Sequence, residues 1–282
     1  SPVAGSFLGA GLFLSYAAYI AAVVGLHRLV GADFPTRIAE RAVVYLSIFP
    51  VAYFLHAAYT ESLFLALVVW SFVFARRRSW ALAGLCGGLA SMTRITAFGL
   101  LPAIAFEYLL DKRFELRRIR PDVLWLLMIP IGFVVYLWVN HSVFGSPWAF
   151  LEVNRLEAHK VLAPPWVGAR TVWNSGLSYG PSRFLLVGIS EVVAGVLSGL
   201  LTIYVAFRLR GSYAIYMTVA WLTFASTSFW ASTTRYVLPL FPGFIVLAVW
   251  GERRLAHWAM TVAFLMGYSL LLARFVRGSW AF

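Results

Sequence analysis

Continuous apolar runs divide the chain at about 7–30, 39–56, 61–75, 80–92, 95–110, 122–140, 184–207, 213–231, 236–250 and 256–274. Backbone N–H and C=O groups in lipid must bond within their own segment, so these runs are read as helices. A transmembrane barrel would show alternating segments of about ten residues instead. Several runs fall short of the roughly 20 residues that a span needs, so tilted, broken or re-entrant helices are expected among them. The pattern predicts an all-α, polytopic transmembrane helix bundle of about ten spans, forming a single domain over residues 1–282.

Composition removes the soluble alternatives. The chain is 61% hydrophobic and 12% charged, with a mean hydropathy of +0.81. A soluble domain carries about 25% charged and about 45–50% apolar residues. Disordered chains lack this apolar mass. The net charge of +12 would suit a nucleic-acid binder, but the basic residues sit in short clusters between apolar runs, as in cytoplasmic loops. A nucleic-acid partner is therefore not expected. The single Cys86 can form neither an internal disulfide nor a cysteine cage, and is read as a packing residue.

Charge also orients the bundle. If the run 7–30 points inward, one set of connections carries 15 Lys and Arg residues and the other 8, and the 15 lie in the shorter loops. The positive-inside rule makes that set cytoplasmic and both chain ends external. Arg76, Arg77 and Arg78 and the stretch DKRFELRRIRPD at 111–122 are read as topological anchors, with anionic lipid headgroups as the lesser alternative. The longest connection, about 141–183, falls outside and is rich in Trp, Pro, Gly and Asn. Its aromatics suit the membrane interface or a sugar site. The preference for arginine over lysine fits a GC-rich prokaryote, whose plasma membrane is the expected location.

Common catalytic signatures are missing. There is no Walker loop, no H-E-x-x-H and no G-x-S-x-G elbow, and the five histidines, His159 among them, are scattered. No cofactor is evident, and a divalent metal is conceivable without a metal cage to support it. Three segments on the outer side stand out. In FPVAYFLHAAYTESLFLAL (49–67), Glu61 opens a run behind Tyr59 and Thr60. An ionisable group at membrane depth points to function, although Thr60 as helix N-cap and Glu61 as a first-turn acid would explain it equally well. In SMTRITAFGLLP (91–102), Arg94 can grip phosphate with two parallel bonds or simply snorkel to water. In SFWASTTRYVLPLFP (228–242), Arg235 and Tyr236 follow three hydroxyl residues, and Pro239 and Pro242 should bend or break the next helix. Three polar turns on one side suggest an anionic, amphipathic ligand such as a lipid phosphate.

These segments, taken in order with RRIRPDVLWLLMIPIGF, FGSPWAF (144–150) and the tail LLARFVRGSWAF (271–282), resemble the bacterial and archaeal relatives of the second GPI mannosyltransferase, the PIG-V type. The resemblance covers nearly the whole chain. It implies a GT-C fold, an active site on the external or luminal face, a polyprenyl- or dolichyl-phosphate sugar donor and inversion at the sugar carbon. One departure concerns the general base. The family carries an acid in a Trp-Asp type motif after its first span, whereas the outer acids here are Glu61, Glu152 and Glu157, none in that context. The chain opens at Ser1 on an apolar run, so a missing N-terminal segment carrying the base is expected, and with it an inactive isolated chain.

The sequence therefore leads to an integral-membrane glycosyltransferase, mannosyltransferase-like, that moves a hexose to a glycolipid or glycan acceptor. Arg94 and Arg235 are assigned to the donor phosphate, and Tyr59, Thr60 and Tyr236 to substrate contact. Glu61 is the one catalytic candidate present, orienting sugar or acceptor. The rival is a polytopic transporter or lipid flippase, for which inverted repeats and matching broken helices would be expected.

Overall fold

The computed structural model describes residues 2–156, 160–178 and 188–278. Glu157, His159, Arg183 and the last four residues of the 271–282 tail lie outside the described residues. The described chain is helical, with one isolated antiparallel bridge between Leu162 and Thr227. Helices α1 (Pro2–Gly31), α2 (Thr36–Ser47), α3 (Glu61–Arg76), α4 (Trp80–Thr93) and α5 (Leu100–Asp111) come first. A 3-10 segment Pro121–Leu127 then runs into α6 (Met128–Phe144), followed by α7 (Ala149–Leu156) and α8 (Pro165–Ser178). The remaining helices are α9 (Ser190–Arg208), α10 (Gly211–Ala225), α11 (Thr233–Tyr236), α12 (Phe241–Trp250) and α13 (Arg254–Val276).

Among the described residues four helical stretches are long and apolar enough to cross a membrane: Ser6–Gly31, Pro121–Phe144, Ser190–Arg208 and Arg254–Val276. They expose large apolar side chains such as Phe13, Ile20, Val134, Trp138 and Met266, as lipid-facing helices do. The other apolar runs of the ten-span expectation are shorter helices or are interrupted. The run 39–56 ends its helix at Ser47 and resumes as the 3-10 turn Ala52–Leu55. The run 95–110 opens with the 3-10 turn Ile95–Gly99. Pro242 does not break α12 but opens it from the first turn, where a missing N–H costs nothing.

The short helices form the core. Phe72 of α3, Tyr213 and Tyr216 of α10 and Phe241 of α12 are buried, and Phe72 packs edge-on against Tyr213, Tyr216 and Phe241 at 5.3–5.7 Å between ring centroids. The Tyr216 hydroxyl donates to the Pro239 carbonyl at 3.1 Å, which fixes the start of α12 to α10. Helices α4 and α6 cross closely at glycines: a Cβ on Gly132 would lie 2.0 Å from the Gly88 carbonyl oxygen. At one end of the core, Arg76 grips Asp33 with two bonds of 2.6 and 2.7 Å. Beside it the buried Glu107 accepts from Arg210 at 2.6 Å and from Ser212 at 2.7 Å. That network ties the turn after α1 to α3, α5 and the start of α10, and α3 leads from it to Glu61 at the opposite end.

Candidate functional site

Glu61 is the first residue of α3 and is fully buried. Its Oε1 accepts from Arg94 Nη1 at 2.8 Å and also from Arg235 Nε. Arg94 ends α4 in extended backbone, and Arg235 lies in the single turn of α11. Three segments far apart in sequence thus converge on one carboxylate oxygen and leave the triad one net positive charge. Glu61 Oε2 is buried without a hydrogen-bond partner. Thr60 occupies the N-cap position of α3 but makes no side-chain capping bond, and it is exposed. Thr60 therefore caps nothing, while Glu61 is a first-turn acid of α3 that two arginines also engage.

Aromatic rings complete the shell. Arg235 lies over Tyr59 at 4.6 Å and over Phe54 at 5.1 Å. Arg94 lies over the Tyr236 ring at 5.1 Å, and Lys160 over the same ring at 5.4 Å. Such contacts hold a cation by the ring quadrupole. Arg94 and Tyr236 line a cavity of about 170 Å³ together with Thr96, Tyr136, Phe150 and Asn154. A second cavity of about 360 Å³ shares Thr96, Phe150, Asn154 and Tyr236 and adds Lys160 with apolar residues such as Leu222 and Trp230. Among the described residues neither cavity has an Asp or Glu in its wall. Arg235, expected at the phosphate, lines neither cavity; it faces Glu61, Tyr59 and Phe54 instead.

Two residues that the sequence reading passed over hold this site in place. Glu191, in the first turn of α9, is 1% exposed and accepts backbone N–H bonds from Ser232 at 3.2 Å and Thr234 at 3.1 Å. It thereby anchors the turn that carries Arg235, entered through Ser232 in left-handed backbone with φ 64. Glu191 sits in an apolar run, so the same rule that drew attention to Glu61 would have found it. Lys160 donates to the Ala231 carbonyl at 2.9 Å, which ties the long connection after α6 to the turn before α11. From that connection Phe150 reaches both cavities, while Trp166 is 72% exposed. Glu152 is exposed on α7 and takes no part. Among the described residues no three His, Cys, Asp or Glu side chains are grouped to hold a metal ion.

Comparison with known proteins adds one match. Residues 3–142 match the family described as dolichyl-phosphate-mannose-protein mannosyltransferase. No curated protein and no solved structure matches the chain. The matched stretch is just under half of the chain and runs from α1 into α6, so it contains Glu61 and Arg94 but not Arg235 or Tyr236. It supports a membrane glycosyltransferase of the mannosyltransferase type, in keeping with the four candidate spans.

Proposed function

We propose that the chain is a GT-C membrane glycosyltransferase that moves a hexose, mannose in the first instance, from a polyprenyl- or dolichyl-phosphate sugar to a lipid-linked or glycan acceptor at the external face. The observation that carries this reading is the buried Glu61 carboxylate holding Arg94 in the wall of the smaller cavity, whose Tyr236 also lines the larger cavity that Lys160 enters. Arg94 and Lys160 both lie over the Tyr236 ring, and a phosphate seated beside that ring meets both charges. The apolar wall of the larger cavity suits the first isoprenoid unit. In the transfer, the bond from the sugar carbon to phosphate oxygen breaks and the bond to the acceptor oxygen forms. Positive charge placed where the leaving phosphate gains charge favours the transition state over the ground state. The acceptor proton must pass to a base, and among the described residues no carboxylate lines the two cavities. Glu61 is accordingly a positioning residue that fixes Arg94, and Arg235 fixes Glu61. The resemblance to the PIG-V type makes a glycolipid acceptor the first to try.

Membranes holding the protein, supplied with labelled polyprenyl-phosphate mannose, test the reading. Donor binding should be measurable, and Arg94→Lys should reduce it at least about tenfold, because an ammonium cannot bond Glu61 and a phosphate in one plane. Movement of the donor lipid across the membrane without transfer would favour the flippase reading. Unchanged donor binding in Arg94→Lys would remove Arg94 from the site.

A further inference from the structure

The opposite end of the bundle carries a second polar cavity, of about 610 Å³, among the turns that follow α3 and α5 and lead into the Pro121–Leu127 segment. Arg78, Lys112, Arg113, Arg117, Arg118 and Arg120 line it, against Asp111 and Asp122. The acids are already engaged. Asp111 pairs with Arg78 at 2.6 Å and with Lys112 at 3.0 Å, and Asp122 accepts from the Tyr108 hydroxyl at 2.6 Å. Glu115 pairs with Arg118 at 2.8 Å. The guanidinium groups of Arg113, Arg117 and Arg120 have no carboxylate partner among the described residues. Like charges at this spacing repel one another. The backbone nevertheless gathers them through three non-glycine residues in the left-handed region, Arg78 (φ 61), Arg113 (φ 55) and Phe114 (φ 58). Such conformations persist only where the surroundings impose them.

The rim of this basin is apolar. Phe114 is 54% exposed and Leu116 78%, and Leu124 and Trp125 are exposed where the candidate span Pro121–Phe144 begins. Large apolar side chains interleaved with unpaired arginines just ahead of a span belong at the level of lipid headgroups. We infer that this basin is a binding site for the phosphate of an anionic phospholipid, gripped by Arg113, Arg117 and Arg120 while Phe114 and Leu116 enter the acyl boundary. A free phosphate compound offers the same oxygens but leaves the apolar rim uncovered, which is why the lipid is the favoured source. The inference does not depend on sugar transfer.

Bilayer discs holding the full protein in mixed phosphatidylglycerol and phosphatidylcholine test it, with lipid retained after detergent extraction counted by native mass spectrometry. Wild type should retain phosphatidylglycerol over phosphatidylcholine by roughly tenfold or more, given the attraction of each basic residue for anionic lipid. The triple variant Arg113→Asn, Arg117→Gln, Arg120→Gln should lose that preference; asparagine is used at 113 because it tolerates left-handed backbone. Arg253→Gln with Arg254→Gln, which removes two arginines at the start of α13 outside the basin, should keep it. If the triple variant does not elute as a single folded species, Arg117→Gln alone is read in the same way, with a partial loss expected. An unselective wild type, a triple variant that still prefers phosphatidylglycerol, or equal loss in the α13 control would overturn the inference. So would displacement of the retained lipid by millimolar inorganic phosphate or glycerol phosphate, which would assign the basin to a soluble ligand.

Discussion

Replacing Glu61 by glutamine leaves Arg94 and Arg235 converging on one neutral carbonyl oxygen in a buried place. Removing one partner of a buried ion pair costs about 3–5 kcal/mol, because the charges left behind are uncompensated. Thr60→Ala removes an exposed hydroxyl that caps nothing, and surface changes of that kind stay within about 0.5 kcal/mol. Thermal unfolding in detergent should therefore separate the two variants widely; equal and small shifts would restore the capping explanation. Glu191→Gln tests the support beneath Arg235. One amide oxygen cannot replace the two carboxylate oxygens that receive the Ser232 and Thr234 N–H groups. A hydrogen bond to a charged group is worth about 1.5–3 kcal/mol. Beyond that loss, donor binding should weaken while Arg94→Lys in the same background adds less than its usual effect, since both act on one assembly. Fully additive losses would show that Glu191 serves the fold alone. Glu61, Arg94 and Arg235 were legible in the sequence because charge is expensive in apolar runs. Their pairing was not, since neither the span of 33 residues from Glu61 to Arg94 nor that of 174 to Arg235 carries a periodicity.

At the scale of elements, hydropathy marks where the chain can sit in lipid but not where a helix stops. The turn Ile95–Gly99 is as apolar as the helix it precedes, and nothing in its residue types announces the change of pitch. Runs of spanning length on paper thus become helices of 10 to 16 residues, such as α12 and α3. One packing signal was present but not used. Gly84 and Gly88 stand four apart on α4, the small-xxx-small spacing that lets helices approach closely. A Cβ on Gly84 would meet the Trp125 carbonyl at 2.0 Å, and one on Gly132 would meet that of Gly88. Gly132→Ala must push α6 away from α4, and overpacking of this kind costs about 1–3 kcal/mol. Gly9→Ala on α1 meets nothing within 4 Å and should be neutral or gain about 0.5–1 kcal/mol from helix propensity. Melting temperatures of the two variants should move in opposite directions or differ clearly in size. A common response would mean that the glycine crossing does not hold α4, and with it Arg94, in place.

Across the whole molecule, the short buried helices set the depth of the site. Helix α3 has 16 residues, roughly 24 Å at 1.5 Å per residue, less than a hydrocarbon core of about 30 Å. The Arg76 network sits level with the C-terminal end of α1 through Asp33, while the Glu61 end lies beside the middle of α1, where Ser15 donates to the Tyr59 carbonyl at 3.3 Å. The long connection after α6 lies against the site, with Lys160 bonded to the Ala231 carbonyl and Phe150 lining the cavity of Arg94. The charge bias assigns the Glu61 end to the outside and the arginine-rich end to the cytoplasm. Cysteine chemistry can test this, because Cys86 is the only native thiol. In a Cys86→Ala background, Thr60→Cys and Arg117→Cys place single thiols at exposed positions on opposite ends. A membrane-impermeant maleimide added to intact cells, stripped of their outer barrier where they have one, should label Thr60→Cys and leave Arg117→Cys unlabelled until the membrane is opened. Labelling in the reverse order would invert the bundle. The Arg94 cavity would then face the cytoplasm and the arginine basin the outside, and donor delivery from the external face would no longer be possible. Labelling of both thiols in intact cells, with a control cytoplasmic protein protected, would show instead that the two ends share one side, contradicting α3 as the element that separates them.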